Sequence, residues 1–489
     1  MIIKNDPEQF QNYLTDASNY AGFAETVYVP ENEKEIAELV KKFNAEKVKI
    51  TVSGNGTGLN GGRVPEGGVV LSLEKLSNVI EINTEEKFVR VQPAVILQDL
   101  QNIVEGKSLF YPPDPTERNC FIGATVATNA SGARTFKYGP TRDYVIGLKI
   151  VLADGDFLSI ERGKFFAEEY YGKIKTDSGK EIAFAIPDYE MPRTKNAAGY
   201  FCKKNMDLID LFIGSEGTLG IITELTLRLI DLSKNVLSSV AFFPTENDAM
   251  SFIDEARTLS RSNSHGDLKA LGLEFFDDNS LRFLQPDFPN IPDNAKAAVW
   301  FEEDYNGDED EAMMRWIELL QKYNCSEDSV WLATNKKEQQ HFHEFRHAIS
   351  LKVNDVMSRR GLKKVGTDIA VPVEKFRQFH SWLKNVVAAA GLDFVIYGHY
   401  GDCHPHLNML PKNEDEYKRA KTLYSEICNE AVKMNGTISA EHGIGKLKRD
   451  YLLNMFGEEN IRKMAKLKSA FDPNRILNIG NIFDEKYLV

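Results

Sequence analysis

The stretch 397–410, Tyr-Gly-His-Tyr-Gly-Asp-Cys-His-Pro-His-Leu-Asn-Met-Leu, holds three of the chain's nine histidines within eight positions: His399, His404 and His406. An apolar run at 394–397 leads in and another at 407–410 leads out, which predicts two strands joined by a tight Gly-Asp loop. Alternate side chains of an extended strand share a face, so His404, His406 and Asn408 point the same way. His399, across the hairpin, closes on that group. Neutral imidazoles converging on one point suit a borderline divalent metal such as zinc, manganese or ferrous iron. Ser-Ala-Glu-His-Gly at 439–443 adds a carboxylate, Glu441, and a further imidazole, His442. A lone histidine would more simply be a hydrogen-bonding strand residue; this spacing points to a metal.

These residues must be positioned by a chain of 489 residues, long enough for two or three domains with substantial cores. The net charge of −13, with no basic cluster, argues against nucleic acid and gives no pull toward anionic lipid. The acidic run 302–311 reads as a solvated loop entering a helix at Ala312. Cys120, Cys202, Cys325, Cys403 and Cys428 are scattered without a C-x-x-C pair, so neither a disulfide framework nor an iron–sulfur signature is present. No signal-peptide pattern opens the chain and no apolar run approaches a membrane span. The expectation is a soluble, cytoplasmic protein.

A strand at 25–29 is followed by a helix at 31–46 whose Ile36, Leu39, Val40 and Phe43 have the spacing of a buried stripe. A β-branched strand at 48–52 then runs into Ser-Gly-Asn-Gly-Thr-Gly-Leu-Asn-Gly-Gly (53–62). Gly56, Gly58 and Gly61 match G-x-G-x-x-G, but that dinucleotide fingerprint needs a helix to begin at the glycines, and a strand at 69–73 comes next instead. What remains is a glycine loop whose backbone N–H groups can wrap a diphosphate. Tyr-Pro-Pro-Asp-Pro-Thr-Glu (111–117) is a rigid extended loop, and the small residues 123–132 let a large planar ligand lie close to backbone. Strands are expected at 144–152 and 221–230, the second fed by Gly-Ser-Glu-Gly-Thr-Leu-Gly (214–220). Three glycine-rich approaches suggest one extended cofactor. Beyond residue 236 short strands (239–243, 271–276, 297–301, 330–333) alternate with a helix at 248–259. A helix from about Lys336 carries His341, His343, Arg346, His347 and Ser350. Its His343-Glu344-x-x-His347 matches a zinc-protease motif and would make a hydrolytic site, but the glycine loops would then have no role.

The glycine loop, Pro-Pro-Asp-Pro, 123–132 and 214–220, together with Gly-His-Tyr-Gly-Asp-Cys-His-Pro-His, Ser-Ala-Glu-His-Gly-Ile-Gly-Lys (439–446) and Phe-Asp-Pro-Asn-Arg-Ile-Leu-Asn (471–478), resemble the vanillyl-alcohol-oxidase/PCMH superfamily. Within it the chain is similar to the branch containing D-lactate dehydrogenase, D-2-hydroxyglutarate dehydrogenase and the FAD subunit of glycolate oxidase. The resemblance implies an α+β fold: a PCMH-type two-subdomain FAD-binding domain (1–232), an antiparallel-sheet substrate or cap domain carrying the metal hairpin (233–430), and a C-terminal helical segment packing back on the flavin (431–489). It places FAD against Ser53, Gly54, Asn55, Gly56, Thr57 and Gly58 of the first loop, and against Pro113, Asp114 and Thr116 of the second. Gly123, Ala124, Thr125, Asn129 and Gly132 follow, then Glu216, Gly217, Gly220, Ile221 and Ile222, and Asn478 in the tail. With no histidine before His265, the flavin is expected to be non-covalent.

The resemblance further implies that His399, His406 and Glu441 ligate a divalent metal, that His442 takes the substrate hydroxyl proton, and that Arg346 clamps the substrate carboxylate. Asn408 would hold substrate or order the metal shell. The hairpin departs from the family's Gly-Asp-Gly-Asn-x-His, so His404 is a candidate extra ligand and Cys403 a candidate soft one. Gly366 stands where hydroxyglutarate enzymes carry a lysine for the distal carboxylate, which favours a small acid, although Lys363 and Lys364 lie close by. The expected function is FAD- and metal-dependent oxidation of a D-2-hydroxy acid, D-lactate foremost, by hydride transfer to flavin N5. Electrons then leave to a non-NAD acceptor: a protein partner or a quinone. The alternatives are a glycolate or other 2-hydroxyacid dehydrogenase subunit of a larger complex, a zinc hydrolase at 343–347, and a flavin-binding electron-transfer subunit. Oligomeric state stays open, a homodimer included.

Overall fold

Ile36, Leu39, Val40 and Phe43 do form one buried stripe, on the helix Glu33–Glu46 started by the Asn32 side chain. The computed structural model describes residues 1–262, 268–305 and 308–488. The helix covers a four-stranded sheet in the order Ile2–Lys4, Thr26–Val29, Val69–Ser72, Ile50–Ser53, whose last three strands are parallel. Val69–Ser72, paired on both sides, is buried at every position, as an inner parallel strand must be. Ile50–Ser53 delivers the chain into the glycine loop at its carboxyl end, the edge where open α/β sheets bind ligands.

A five-stranded antiparallel sheet stands next to it, ordered Val79–Asn83, Phe88–Val91, Ile221–Arg228, Val145–Val151, Phe157–Glu161. The third sheet has seven strands, ordered Val330–Leu332, Val236–Phe243, Ala297–Asp304, Ala270–Asp277, Phe394–His399, His404–Met409, Val365–Gly366, all antiparallel. Its two faces have separate cores. Leu273, Phe275, Val299 and Phe301 face the helices Glu246–Arg261 and Glu309–Lys322. Val240, Phe242, Phe276, Trp300 and Val395 face the long helix Lys336–Arg360 through Phe342, Phe345 and Ile349. The period-2 rule then puts Glu274, His399, His404 and His406 on this second face too.

Three expectations need correction. The acidic run does not begin as a solvated loop: Glu302 and Glu303 belong to the strand Ala297–Asp304 and are each 1% exposed. Arg134 pairs with Glu302, and Arg315 and the Trp316 indole with Glu303, so remote partners make burial tolerable. The helix expected at Ala312 starts at Glu309, and residues 306 and 307 lie outside the described residues. The small residues after 121 begin as a short helix, Ile122–Thr128, and not as a glycine-rich loop. The boundary expected at 430 falls inside the helix Glu414–Lys433, through which the backbone hydrogen bonds run unbroken.

The last long helix, Arg449–Phe471, turns at Gly457 and ends on a buried cation. Lys468 donates to Asp472, to the Thr218 carbonyl and to the Leu477 carbonyl, all at 2.7–2.8 Å. It thereby ties the third glycine turn to the C-terminal tail. Removing it strands the Asp472 carboxylate, which is fully buried. Lys468→Met should therefore lower stability by about 3–5 kcal/mol, read as a fall in the chemical-denaturation midpoint.

Candidate active site

The hairpin forms as the pattern requires. Phe394–His399 pairs with His404–Met409, and the turn closes through Tyr400–Asp402 with Cys403 left-handed at φ 55°. Direct pairing of His399 with His404, and of Tyr397 with His406, stacks the rings on one face. His399, His404, His406 and Glu441 each offer a donor atom, and these four lie within 4.8 Å of one another. His399 and His406 each have a second nitrogen hydrogen-bonded outside the cluster, and His404 has a carboxylate oxygen near its own. His399 Nδ1 is 2.7 Å from Glu274 Oε1, His404 Nε2 is 3.1 Å from Asp368 Oδ1, and His406 Nδ1 is 3.3 Å from the Thr367 carbonyl. For His399 and His406 that arrangement turns the other nitrogen inward, as metal sites require. His404 Nδ1, buried without a hydrogen-bond partner, lies 3.9 Å from Glu441 Oε1, an orphan donor atom that a metal would relieve.

The electrostatics agree with a cation site. Burial pushes His404 down to about 4, and burial and the neighbouring rings hold His406 well below the usual range, so both are neutral donors. Burial opposes charge on His399 as well, but the Glu274 and Glu441 carboxylates outweigh it and raise His399 to about 9. Glu441 stays ionised against burial because His399 and Lys195 flank it. Its Oε1 also accepts from Ser131, at 3.3 Å. His404 thus lies in one cluster with His399, His406 and Glu441. Cys403 does not: its side chain turns into the core, and burial pushes its thiol up to about 12.

Arg346, 7% exposed, faces the cluster from the long helix. Its Nε donates to Glu274 Oε2 at 3.0 Å and its Nη1 meets His347 Nε2 at 3.0 Å; among the described residues no protein acceptor meets Nη2. His347 Nδ1 is spent on its own helix, 2.7 Å from the His343 carbonyl, and His343 points at Glu302 from 3.4 Å. With both nitrogens of His347 occupied and the Glu344 side chain 60% exposed, the H-E-x-x-H residues do not assemble a metal site. Asn408 shares the hairpin face and is 4% exposed; the Tyr397 hydroxyl bonds to it and to Ser350.

Asp368 gathers the segment that carries Glu441 and His442. It accepts from the backbone N–H groups of both at 3.1 and 3.0 Å, from Ser439 at 2.7 Å and from Lys448 at 2.8 Å. His442 Nδ1 lies 3.3 Å away, and burial lowers the pKa of this ring, keeping it neutral. Glu216 holds the continuation of that segment through Ile444 N and Gly445 N, at 2.6 and 2.7 Å. Asn478 accepts from Val52 N and donates to the Glu216 carbonyl, so its side chain braces two loops.

The glycine loops converge as expected. Among the described residues the N–H groups of Asn55, Gly56, Thr57 and Gly58 donate to no protein acceptor, an unsatisfied row that suits a diphosphate. Gly54 approaches Ala124, a Cβ on Gly54 lying 3.4 Å from that methyl. Gly132 is needed for packing: a Cβ there would sit 1.8 Å from the Asp114 carbonyl oxygen. Thr116 is exposed, and Asp114 is buried with its carboxylate on Arg118. Gly123 lies against Pro93, and Gly217 and Gly220 against Asn478 and Ile150. Thr125 donates to the Ile122 carbonyl within its own helix, Asn129 accepts from the Arg142 backbone N–H, and Pro113, Ile221 and Ile222 are buried. The sequence does not mark Glu274, Asp368 or Lys195. Their partners lie 72 to 246 residues away, and no local pattern points to them.

Comparison with known proteins adds the following. Residues 24–161 match the family described as FAD binding domain, and residues 233–482 match FAD linked oxidases, C-terminal domain. The chain is 32% identical to glycolate oxidase subunit GlcD of Bacillus subtilis (strain 168), covering 99% of this chain and 96% of that one. It is 31% identical to a D-lactate dehydrogenase of Anaerostipes hadrus, covering 92% and 87%. It is 29% identical to a D-2-hydroxyglutarate dehydrogenase of Stutzerimonas stutzeri (strain A1501), covering 98% and 96%. In fold it is similar to an alkyldihydroxyacetonephosphate synthase, with a TM-score of 0.66 at 15% identity over 97% of this chain and 81% of that one.

Asp368→Ala leaves Lys448 buried without its counter-ion and frees two backbone N–H groups. The expected result is a loss of about 3–5 kcal/mol in chemical denaturation. Hydrogen exchange should rise in 439–446 and stay unchanged in the helix Glu33–Glu46.

Proposed function

We propose, from the premise that this chain belongs to the family of FAD-linked oxidases, that it is an FAD- and divalent-metal-dependent dehydrogenase of a D-2-hydroxy acid, D-lactate foremost. The observation that carries the reading is the four-donor cluster of three imidazoles and Glu441 with the Arg346 guanidinium beside it. Oxidising such an acid removes a hydride from C2 and a proton from the hydroxyl. When bound, FAD accepts the hydride at N5, and the metal, held by His399, His404, His406 and Glu441, stabilises charge growing on the hydroxyl oxygen.

The protein's own residues supply the rest. Arg346 receives the substrate carboxylate through the edge that Glu274 and His347 leave free, and a planar guanidinium can donate there in parallel. His442 takes the hydroxyl proton; Asp368 beside Nδ1 holds the ring with Nε2 able to accept. Asn408 and Tyr397 line the hairpin side. Gly366 supports a small acid, because Asn408 packs against it: a Cβ there would meet its Oδ1 at 2.8 Å. Lys363 is spent on the Asn19 carbonyl. Lys364 is half-buried, its amine pushed down to about 8 by burial, so a substrate with a second carboxylate is the case to include in the test. A flavin reduced in turnover must be reoxidised by another molecule, and a protein acceptor or a quinone fills that role in this reading. The likeness to a glycolate oxidase subunit supports glycolate as the second reading.

Three measurements test this. Under anaerobic conditions D-lactate should bleach the flavin band of metal-replete protein and L-lactate should not. Bleaching by glycolate alone would move the assignment to the second reading, and by D-2-hydroxyglutarate alone to a diacid. Dialysis against a chelator should slow bleaching by about 10²-fold or more while FAD stays bound, with recovery on adding zinc or manganese. Arg346→Lys should raise KM about 10–100-fold, the worth of a charge-assisted hydrogen bond.

A further inference from the structure

We propose that Glu274 is a positioning residue shared by both halves of the site, one carboxylate that fixes the metal-binding nitrogen of His399 and the substrate-binding edge of Arg346 together. The inference rests on the metal and substrate roles proposed above and adds the group that couples them.

Glu274 sits in the strand Ala270–Asp277, directly opposite His399 on one neighbouring strand and Trp300 on the other. A carboxylate in the middle of a sheet, 3% exposed, is costly unless both oxygens are satisfied. Here each oxygen serves a different partner. Oε1 stands 2.7 Å from His399 Nδ1, and Oε2 accepts from Arg346 Nε at 3.0 Å. Both partners are held as donors. Because Nδ1 of His399 is held as the donor to Glu274, Nε2, which lies 3.2 Å from Glu441 Oε1 inside the cluster, is the nitrogen left to take a metal in exchange for its own proton. Because Arg346 gives Nε to Glu274, its outer edge turns toward the space beside the hairpin. The ring of Trp300 lies against the guanidinium, 5.7 Å from its carbon, and limits its swing.

The device depends on two acceptors, not on charge or bulk alone. Glutamine has the same shape but offers one acceptor and one donor. If its oxygen meets Arg346, its amide nitrogen faces His399 Nδ1 and forces the hydrogen onto Nε2, the nitrogen the metal needs. If its oxygen meets His399, the amide nitrogen opposes Arg346 Nε–H and the guanidinium is released. An ordinary structural ion pair would lower stability without discriminating between these outcomes.

The test uses metal-depleted, FAD-loaded protein titrated with Co(II), followed by cobalt absorption and calorimetry. Glu274→Gln should retain FAD and bind Co(II) about 10–100-fold more weakly than wild type, the usual cost of losing a hydrogen-bond partner behind a ligand. Alternatively it should keep Co(II) affinity and raise the KM for the hydroxy acid by a similar factor, with kcat less affected. A variant unchanged in both, beside a wild type that binds Co(II), overturns the role of Glu274 and leaves the metal reading intact. A wild type that takes up no Co(II) overturns the metal reading and this coupling with it. Should Glu274→Gln fail to fold, nitrogen-15 histidine spectra of zinc-loaded wild type decide: His399 protonated at Nδ1 supports the coupling, and an unprotonated Nδ1 overturns it.

Discussion

Burying a carboxylate without a cation or a set of donors costs several kcal/mol, and the site of this protein buries five of them. Glu216, Glu274, Glu302, Asp368 and Glu441 are each 8% exposed or less. Their partners therefore dictate the arrangement. Glu302 draws Arg134 and His343, Glu274 draws Arg346 and His399, and Glu441 draws Lys195 and His399. Glu216 is met by two backbone N–H groups, and Asp368 by two more together with Ser439 and Lys448, and so they fold the segment 439–445 around themselves. An apolar replacement of any one would leave a cation or several donors stranded. The chain tolerates this density of charge because it is paired almost atom for atom.

The seven-stranded sheet converts that pairing into a site. Its helix-facing side is apolar at Val240, Phe242 and Phe276, then polar at Glu274, His399, His404 and His406. The long helix Lys336–Arg360 follows the same change of character. Phe342, Phe345, Ile349 and Val353 anchor it, while Arg346 enters the polar zone. Packing of the apolar part fixes the axis of the helix to within the tolerance of a close-packed core, and Arg346 inherits that precision. Arg346 and the three hairpin histidines thus stand on a helix and paired strands, while Glu441 and His442 stand in a segment held by Asp368 and Glu216.

Legibility in the sequence followed the range of the interactions. The hairpin, the helix Glu33–Glu46 and the long helix were readable because their apolar residues repeat at short periods. The fold class and FAD-binding loops were readable from glycine-rich segments joined to those elements. Glu302 and Glu303 were misread because a charged pair in a strand looks like a loop until Arg134 and Arg315 arrive from elsewhere in the chain. Glu274 sits in an apolar strand as a single charge, with nothing nearby to mark it as a junction. His404 was legible as an extra ligand candidate from its spacing alone. That Cys403 faces the core followed only from the left-handed turn at its own backbone.

Glu441 shows why no shorter piece of the chain would contain the site. Ser131 and Lys195 reach it from the flavin-binding part, His399 and His404 from the sheet, and Asp368 holds its backbone N–H. Its Oε1 accepts from Ser131 and Lys195 and also lies 3.2 Å from His399 Nε2, so three groups crowd one carboxylate oxygen. The oxygen is therefore held by competing partners from different parts of the fold, none of which owns it. A divalent cation at the cluster centre would meet a carboxylate already oriented and incompletely satisfied by each neighbour. Orientation here comes from the whole tertiary structure, whereas three of the four candidate ligands stand within a stretch of eight residues.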